Sequence, residues 1–155
     1  MISIIPYQPE HAAIFKELNM EWLVKYNLLE PPDLLALDNP QEHILDPGGA
    51  LFLAQTDTGE IVGSAGLIHE GNGVYELAKM AVASAYRGKG ISKLLIEKCI
   101  EKAKELRVKK LYLVSNSQLT TAVALYEKYG FKHVPLVDLH YVTADVKMEL
   151  DLTEQ

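Results

Sequence analysis

Residues 74–114 contain the pattern that most constrains the fold, because a helix lies there between two apolar strands. The first strand is predicted over "VYELAKMAVA", and the second over "KKLYLVSN", an apolar run typical of a buried, parallel strand. After Gly90, apolar residues recur on one face of a helix whose other face is rich in lysine and glutamate. Parallel strands need such a crossover helix. The sequence therefore predicts a strand–helix–strand unit at the centre of a mixed α/β sheet.

The rest of the chain supplies further strands to the same sheet. "ISIIPY" predicts a short strand that the prolines end, and "GGALFLAQT" and "IVGSAGLIHE" predict a hairpin around the turn at residues 57–60. "EGNG" is a second turn, and "FKHVPLVD" and "YVTADVKMELDL" predict two final strands. Apart from the crossover helix, the patterns predict helices over residues 10–27, more weakly over 30–45 with Asp33 as its cap, and over "LTTAVALYEKYG" with Gly130 as its C-cap.

Composition limits the classes of protein that the chain can represent. Its 155 residues, with 48% hydrophobic and 23% charged side chains, are typical of a single globular domain over residues 1–155. A formal net charge of −6 argues against nucleic-acid binding and favours a cationic or amine substrate. No apolar run approaches the length of a membrane span, and we expect no signal peptide. One cysteine, Cys99, indicates a structural thiol in a reducing cytoplasm. The five histidines, at positions 11, 43, 69, 133 and 140, lack metal-ligand spacing, so we expect no metal.

The stretch "AYRGKGISKLL" places two glycines where the central helix begins. Free N–H groups at a helix N-terminus attract anions, and Gly88 and Gly90 let the backbone approach a ligand that a Cβ would block. The spacing matches neither the P-loop nor the dinucleotide-binding pattern. Taken alone, the stretch fits a plain loop before a helix better than an anion site.

Two motifs resemble those of the GNAT superfamily of N-acetyltransferases. "MAVASAYRGKGISKLL" resembles the family's acetyl-CoA-binding motif, [QR]-x-x-G-x-[GA], placed here on residues 85–90. This chain departs from the family at Ala85, where Gln or Arg is usual, and at Ser92, where glycine is frequent. "SNSQLTTAVALYEKYGF" resembles a second family segment, matched at Ala122, Leu125, Tyr126, Lys128, Gly130 and Phe131. Two motifs in the right order are more specific than either alone.

The resemblance implies a fold and a cosubstrate. The expected fold is a single GNAT-like α/β (α+β) domain, with a mixed, mostly antiparallel sheet, a central splayed strand pair and about four flanking helices. Acetyl-CoA is the implied cosubstrate, and a homodimer is compatible with the family. The implied cofactor-binding residues are Met80, Ala81, Val82, Arg87, Gly88, Lys89, Gly90, Ile91, Ser92, Asn116 and Tyr126. Among them, Arg87 and Lys89 would be charges at the rim, with backbone amides as the main binding groups. Ser115 and Ser117 are weaker candidates.

The resemblance also implies catalytic roles. Tyr126 corresponds to the family's general acid, which protonates the departing CoA thiolate, although a tyrosine packed in the core is the alternative. Glu76 would act as general base directly or through water, or be a solvent-facing strand residue; Glu70 and His69 are possible substitutes. Alternation along the strand predicts that Glu76 shares a face with Ala78 and Met80. The first helical region shapes the acceptor site in the family. Trp22, Tyr26 and Glu30, with Asp33, are therefore candidates for substrate contact.

The implied activity is acetyl transfer from acetyl-CoA directly to a primary amine through a ternary complex. The acceptor is a small molecule or a peptide, and neither a nucleic acid nor a membrane is expected as partner. A non-catalytic acyl-CoA-binding domain on the same fold is the alternative, since fold does not fix function. An interaction domain that binds no CoA is a third reading.

Overall fold

Seven strands form one mixed sheet in the computed structural model, which describes residues 1–137 and 142–153. The strands are β1 (Ser3–Pro6), β2 (Ala50–Gln55), β3 (Ile61–Gly71), β4 (Val74–Val82), β5 (Lys110–Ser115), β6 (Lys132–His133) and β7 (Val146–Asp151). Their order is β1-β2-β3-β4-β5-β7-β6, and β4–β5 is a parallel pair among antiparallel neighbours. The expected mixed sheet, with its strand–helix–strand centre, is confirmed.

Helices cover both faces of the sheet. They are α1 (Ala12–Lys25), α2 (Pro31–Asp38), α3 (Ile91–Glu105) and α4 (Thr120–Lys128). The apolar face of α3 is buried against one side of the sheet, where α4 also packs, and the thiol of Cys99 lies in that core. Helices α1 and α2 cover the other side, with Phe15 and Leu37 in a second cluster. In the described ranges, no helix combines the length and apolar character needed to cross a membrane.

The parallel pair β4–β5 separates after three residues. Its paired positions among the described residues are Val74↔Lys110, Tyr75↔Leu111 and Glu76↔Tyr112. Beyond Glu76, β4 continues for six residues beside β3, so one edge of β4 is open on the β5 side. This divergence is the splayed central pair that the resemblance implied.

A β-bulge interrupts β4 within the divergent part. The register with β3 changes from Gly66↔Ala78 to Ser64↔Ala81, so Lys79 and Met80 together lie opposite Ala65. Simple alternation predicted that Glu76, Ala78 and Met80 share a face. The bulge corrects this prediction: because one extra residue changes the parity, Ala81 takes the face of Glu76 and Ala78.

Three local predictions were wrong in detail. The strand over "FKHVPLVD" is reduced to Lys132–His133, shortly before Pro135, which lacks a ladder donor. The last strand begins only at Val146, and residues 138–141, which include His140, lie outside the described residues. Asp33 is the third residue of α2, not its cap, because Glu30 takes the N-cap position.

The end of α4 also differs slightly from the prediction. Tyr129 is the C-cap, and Gly130, at φ +96°, is the next residue. The N–H of Gly130 donates to the carbonyl of Glu127 at 3.0 Å, and that of Phe131 to the carbonyl of Tyr126 at 3.1 Å. These two bonds form a Schellman motif, for which glycine is favoured because of the left-handed backbone.

Candidate active site

A cleft of about 950 Å³ opens where β4 and β5 diverge. Its floor is the open edge of β4, and one end is the loop and first turn of α3. The ends of β5 and α4 form one wall, and α1 with the start of α2 forms the opposite wall. The cleft therefore brings together residues from both sequence motifs and from the N-terminal helices.

The start of α3 offers backbone N–H groups to the cleft. Gly90 is the N-cap in the left-handed conformation, at φ +81°, and among the described residues no side chain caps the helix. The first N–H groups of any helix lack acceptors within it. Gly88 is also left-handed, at φ +77°, and a Cβ on either glycine would meet no described atom within 4 Å. Both glycines therefore serve the backbone conformation and leave open the space that an anion would occupy.

The two cations of this loop have different roles. Arg87 braces the loop, because its Nε donates to the carbonyl of Val82 at 3.2 Å and its Nη2 lies 3.4 Å from Oε1 of Glu21. Lys89 places its Nζ 5.2 Å from the ring centroid of Tyr86, and it is not among the described residues that line the cleft. The guanidinium of Arg87 is therefore engaged within the protein and the ammonium of Lys89 lies aside, whereas the backbone of the loop faces the cleft.

Tyr126 lines the cleft from α4 and is 8% exposed. Its ring packs edge-to-face on Phe131, with 6.0 Å between centroids. Burial, and then the nearby Cys99, raise the pKa of Tyr126 to about 12. The hydroxyl is thus protonated at neutral pH and can donate a proton.

Glu76 lies at the point where β4 and β5 separate, which we call the fork. It occupies the last paired position of β4, opposite Tyr112. It is 7% exposed, and burial raises its pKa to about 7. The ammonium of Lys79 and the nearby Tyr112 hydroxyl lower this pKa, whereas Glu70 and Asp33 raise it. Near neutrality the carboxyl therefore exists in both forms, as a general base requires. The alternative of a solvent-facing strand residue does not describe Glu76.

A buried ion pair lies in the same cleft and was missed by the sequence analysis. Nζ of Lys79 lies 2.9 Å from Oδ1 of Asp33, and the two side chains are 6% and 7% exposed. The other carboxylate oxygen of Asp33 accepts the N–H of Glu30 at 2.9 Å. One signal was available: a lysine within a mostly apolar central strand requires a partner when it is buried.

The acceptor-side candidates divide into two groups. Trp22 and Tyr26 line the cleft from α1. Glu30 is not among the described lining residues, because its carboxylate accepts bonds from the N–H groups of Val142 and Thr143 and from the hydroxyl of Thr143. Burial raises the pKa of Glu30, but these bonds lower it overall. Glu30 thus fastens residues 142–143 to the start of α2.

Asn116 lines the cleft, but its side chain is engaged in holding loops. Its Nδ2 donates to the carbonyl of Thr143 at 2.8 Å, and its Oδ1 accepts the N–H of Gln118 at 2.9 Å. The neighbouring Ser117 bonds to Asp145 through both its N–H and its hydroxyl. The segment at residues 142–145 is consequently tied to both walls of the cleft.

His69 and Glu70, the possible substitutes for Glu76 as base, are not among the described residues that line the cleft. His69 Nδ1 hydrogen-bonds the carbonyl of Pro47 at 2.8 Å, and its ring stacks on Tyr75. Glu70 accepts the hydroxyl of Tyr112 at 2.5 Å, which places it beside Glu76 and outside the described lining. In the part of the chain that the structure describes, no three His, Cys, Asp or Glu residues form a group that could hold a metal ion.

Comparison with known proteins agrees with this architecture. The model of the acetyltransferase (GNAT) family matches residues 12–131. The uncharacterized N-acetyltransferase YjgM of Escherichia coli is 32% identical over 133 residues, 81% of this chain and 77% of that protein. The N-acetylaspartate synthetase of Xenopus tropicalis is 38% identical over 106 residues, 68% of this chain but 39% of that protein. The chain thus spans less than half of this longer relative.

Solved structures give the same result. A GNAT-family acetyltransferase from Staphylococcus aureus superposes with a TM-score of 0.91 at 27% identity, covering 98% of this chain and 99% of that one. The spermidine N-acetyltransferase of Vibrio cholerae, solved with CoA and spermine, superposes with a TM-score of 0.76 at 21% identity, covering 97% and 95%. By fold and by relatives, the protein is an acyltransferase. The chain belongs to the GNAT acetyltransferase family.

Proposed function

We propose that this protein transfers the acetyl group of acetyl-CoA directly to a primary amine within a ternary complex. The observation that carries the proposal is the cleft at the β4–β5 fork. This cleft has an uncapped helix N-terminus at one end, and it is lined by a buried carboxyl group, Glu76, and a buried phenol, Tyr126. These three elements can provide a binding site for the pyrophosphate, a base and an acid.

The cosubstrate occupies the cleft through backbone contacts. The N–H groups of residues 87–92 bind the pyrophosphate, helped by the helix dipole. The pantetheine arm pairs with the open edge of β4 at Met80, Ala81 and Val82, in the manner of an added strand. Asn116 contributes through the loop that it orders, because its side-chain amide is already engaged.

The chemical step requires a neutral amine. Glu76, in its ionised form, takes a proton from the acceptor ammonium, directly or through water. The amine nitrogen then attacks the thioester carbonyl carbon, the C–S bond breaks, and its electron pair stays on sulfur. The nitrogen loses its second proton to solvent and becomes the amide nitrogen, and Glu76 releases its proton to solvent. Tyr126 donates its proton to the thiolate and later regains one from solvent.

The acidity of Tyr126 fits a desolvated thiolate. Burial raises the pKa of the adjacent Cys99 thiol to about 12, close to the value for Tyr126. A CoA thiolate that leaves in the same apolar surroundings is likewise more basic than in water. The phenol therefore donates its proton to a group whose basicity the apolar surroundings increase.

The acceptor belongs to the class of primary amines, as a small molecule or a peptide. The acidic balance of the chain favours a cationic acceptor, and Trp22 and Tyr26 provide aromatic surfaces on that side of the cleft. The names of two similar proteins, a spermidine N-acetyltransferase and N-acetylaspartate synthetases, make polyamines and amino acids the first acceptors to test. The single cysteine supports action in a reducing cytoplasm.

The test is release of free CoA thiol when the protein is mixed with acetyl-CoA and single amines. The panel contains amino acids, polyamines, aminoglycosides and peptides with free N-termini. Thiol release that depends on one class of amine, above the rate without amine, supports the proposal. If CoA binds tightly and no amine releases thiol, the chain is an acyl-CoA-binding domain. If CoA does not bind, the interaction domain is the correct reading.

A further inference from the structure

The ion pair between Lys79 and Asp33 lies in the same cleft as Glu76. All three residues are more than nine-tenths buried. A buried ion pair adds little net stability, because the loss of hydration offsets the attraction. Its position beside a buried carboxyl group therefore suggests an electrostatic role.

The bulge in β4 brings Lys79 to the side of the sheet where Glu76 lies. Ser64 faces α1, since its hydroxyl accepts a bond from Asn19 Nδ2 at 3.1 Å. The register places Ala81 opposite Ser64, so that Ala81, Ala78 and Glu76 share this face. In a regular strand, residues 76 and 79 would point to opposite faces.

The backbone at the bulge is fixed by buried hydrogen bonds. Lys79 has φ +56°, a left-handed conformation that side chains other than glycine seldom adopt. The hydroxyl of Ser64 donates to the Lys79 carbonyl at 2.7 Å, and Asn19 supports this hydroxyl from α1. The strained conformation is thus held by two other elements, and it directs the ammonium group to Asp33 on α2.

The charged and titratable groups around Glu76 come from every element packed beside it. Asp33 approaches from α2, Glu70 from β3, Tyr112 from β5 and Lys79 from the same strand. Tyr26 of α1 lines the same cleft. Lys79 stabilises the ionised form of Glu76, and so does the nearby hydroxyl of Tyr112. Asp33 and Glu70 favour the protonated form.

We propose that Lys79 and Asp33 are positioning residues that set the ionisation of Glu76 with opposite signs. Lys79 keeps the carboxylate available as a base near neutrality, and Asp33 limits that effect and holds the ammonium in place. The catalytic consequence rests on the proposed function, in which Glu76 takes the proton of the amine. The electrostatic coupling does not depend on it.

The test follows the titration of the Glu76 carboxyl carbon by NMR, assigned by its loss in Glu76→Gln. Lys79→Met should move the midpoint to higher pH by about one unit or more, and Asp33→Asn should move it lower. Asparagine at position 33 retains an oxygen for the N–H of Glu30. Lys79→Arg keeps the charge and should restore a midpoint near that of the wild type, and the double variant should fall between the single variants.

Opposite shifts support the inference, whereas shifts of the same sign, or none, overturn it. Circular dichroism shows whether Lys79→Met folds. If it does not, the other two variants still test the inference: Asp33→Asn must lower the titration midpoint of Glu76, and Lys79→Arg must leave it nearly unchanged. The pH dependence of kcat/KM, measured on the same variants, separates the two claims. If the NMR midpoint of Glu76 shifts in these variants but the pH dependence of kcat/KM does not, Glu76 is not the base. The coupling of Glu76 to Lys79 and Asp33 remains supported in that case.

Discussion

At the scale of single residues, the Tyr126 hydroxyl is the group whose removal most directly tests the acid. Tyr126→Phe keeps the ring on Phe131 and removes only the proton donor. We expect kcat to fall about 100-fold or more, with CoA affinity retained, as measured by thiol release and calorimetry. Tyr129→Phe is the matched control, since the Tyr129 hydroxyl bonds to Glu97 at 2.7 Å outside the described cleft lining. Equal turnover in the wild type and Tyr126→Phe would remove Tyr126 from the mechanism.

Glu76 has a measurable cost in stability that depends on pH. The pKa of Glu76 is about 7 in the folded chain, against an ordinary value of 4.5 that we take for the unfolded chain. Between pH 4.5 and pH 7 the folded chain therefore binds a proton at Glu76 that the unfolded chain does not bind. The contribution of Glu76 to stability is therefore present below about pH 4.5 and is lost as pH rises through 7. We compare the free energy of unfolding of Glu76→Gln with that of the wild type at each pH. This difference should shift in favour of the variant by up to about 3 kcal/mol from about pH 4 to about pH 8. Urea denaturation at both pH values measures the difference, and a gain independent of pH would contradict the raised pKa.

At the scale of elements, the loop before α3 is expected to bind CoA through its backbone. Gly88→Val adds a side chain where the pyrophosphate would lie, and we expect the Kd for CoA to rise at least about tenfold. Gly59→Val is the control for backbone strain, because Gly59 is also left-handed, at φ +90°, also has no described atom near its Cβ, and lies in the β2–β3 turn. Lys89→Ala should have a smaller effect than Gly88→Val. If Lys89→Ala weakens CoA binding more, side-chain charge and not backbone amides holds the ligand.

The elements themselves were largely predictable, whereas the local irregularities were not. Helical spacing and turn residues identified α3, the β2–β3 hairpin and the crossover, because these depend on local periodicity. The residues at which β4 bulges could not be placed from local periodicity, since strict alternation is the default and nothing near Lys79 is a glycine. The strand expected over "FKHVPLVD" failed for a similar reason: pairing with β7 decides its length, and this pairing ends after two residues.

At the scale of the whole molecule, the sequence indicated the site only through residues that lie far apart in the chain. Glycines at the start of α3 and Tyr126 on α4 converge because β4 and β5 diverge between them. Glu30 was expected at the acceptor side and instead binds residues 142–143, a contact across more than 100 positions that no local pattern reveals. The Lys79–Asp33 pair was hidden in the same way, since its partners are 46 positions apart.

The most direct test of the account is a crystal structure of the protein with CoA bound. We predict the pyrophosphate within hydrogen-bond distance of the N–H groups of residues 87–92, the pantetheine arm along the open edge of β4, and the sulfur beside the Tyr126 hydroxyl. CoA seated elsewhere, or a sulfur remote from both Tyr126 and Glu76, would contradict the central claim that acetyl transfer takes place at this fork.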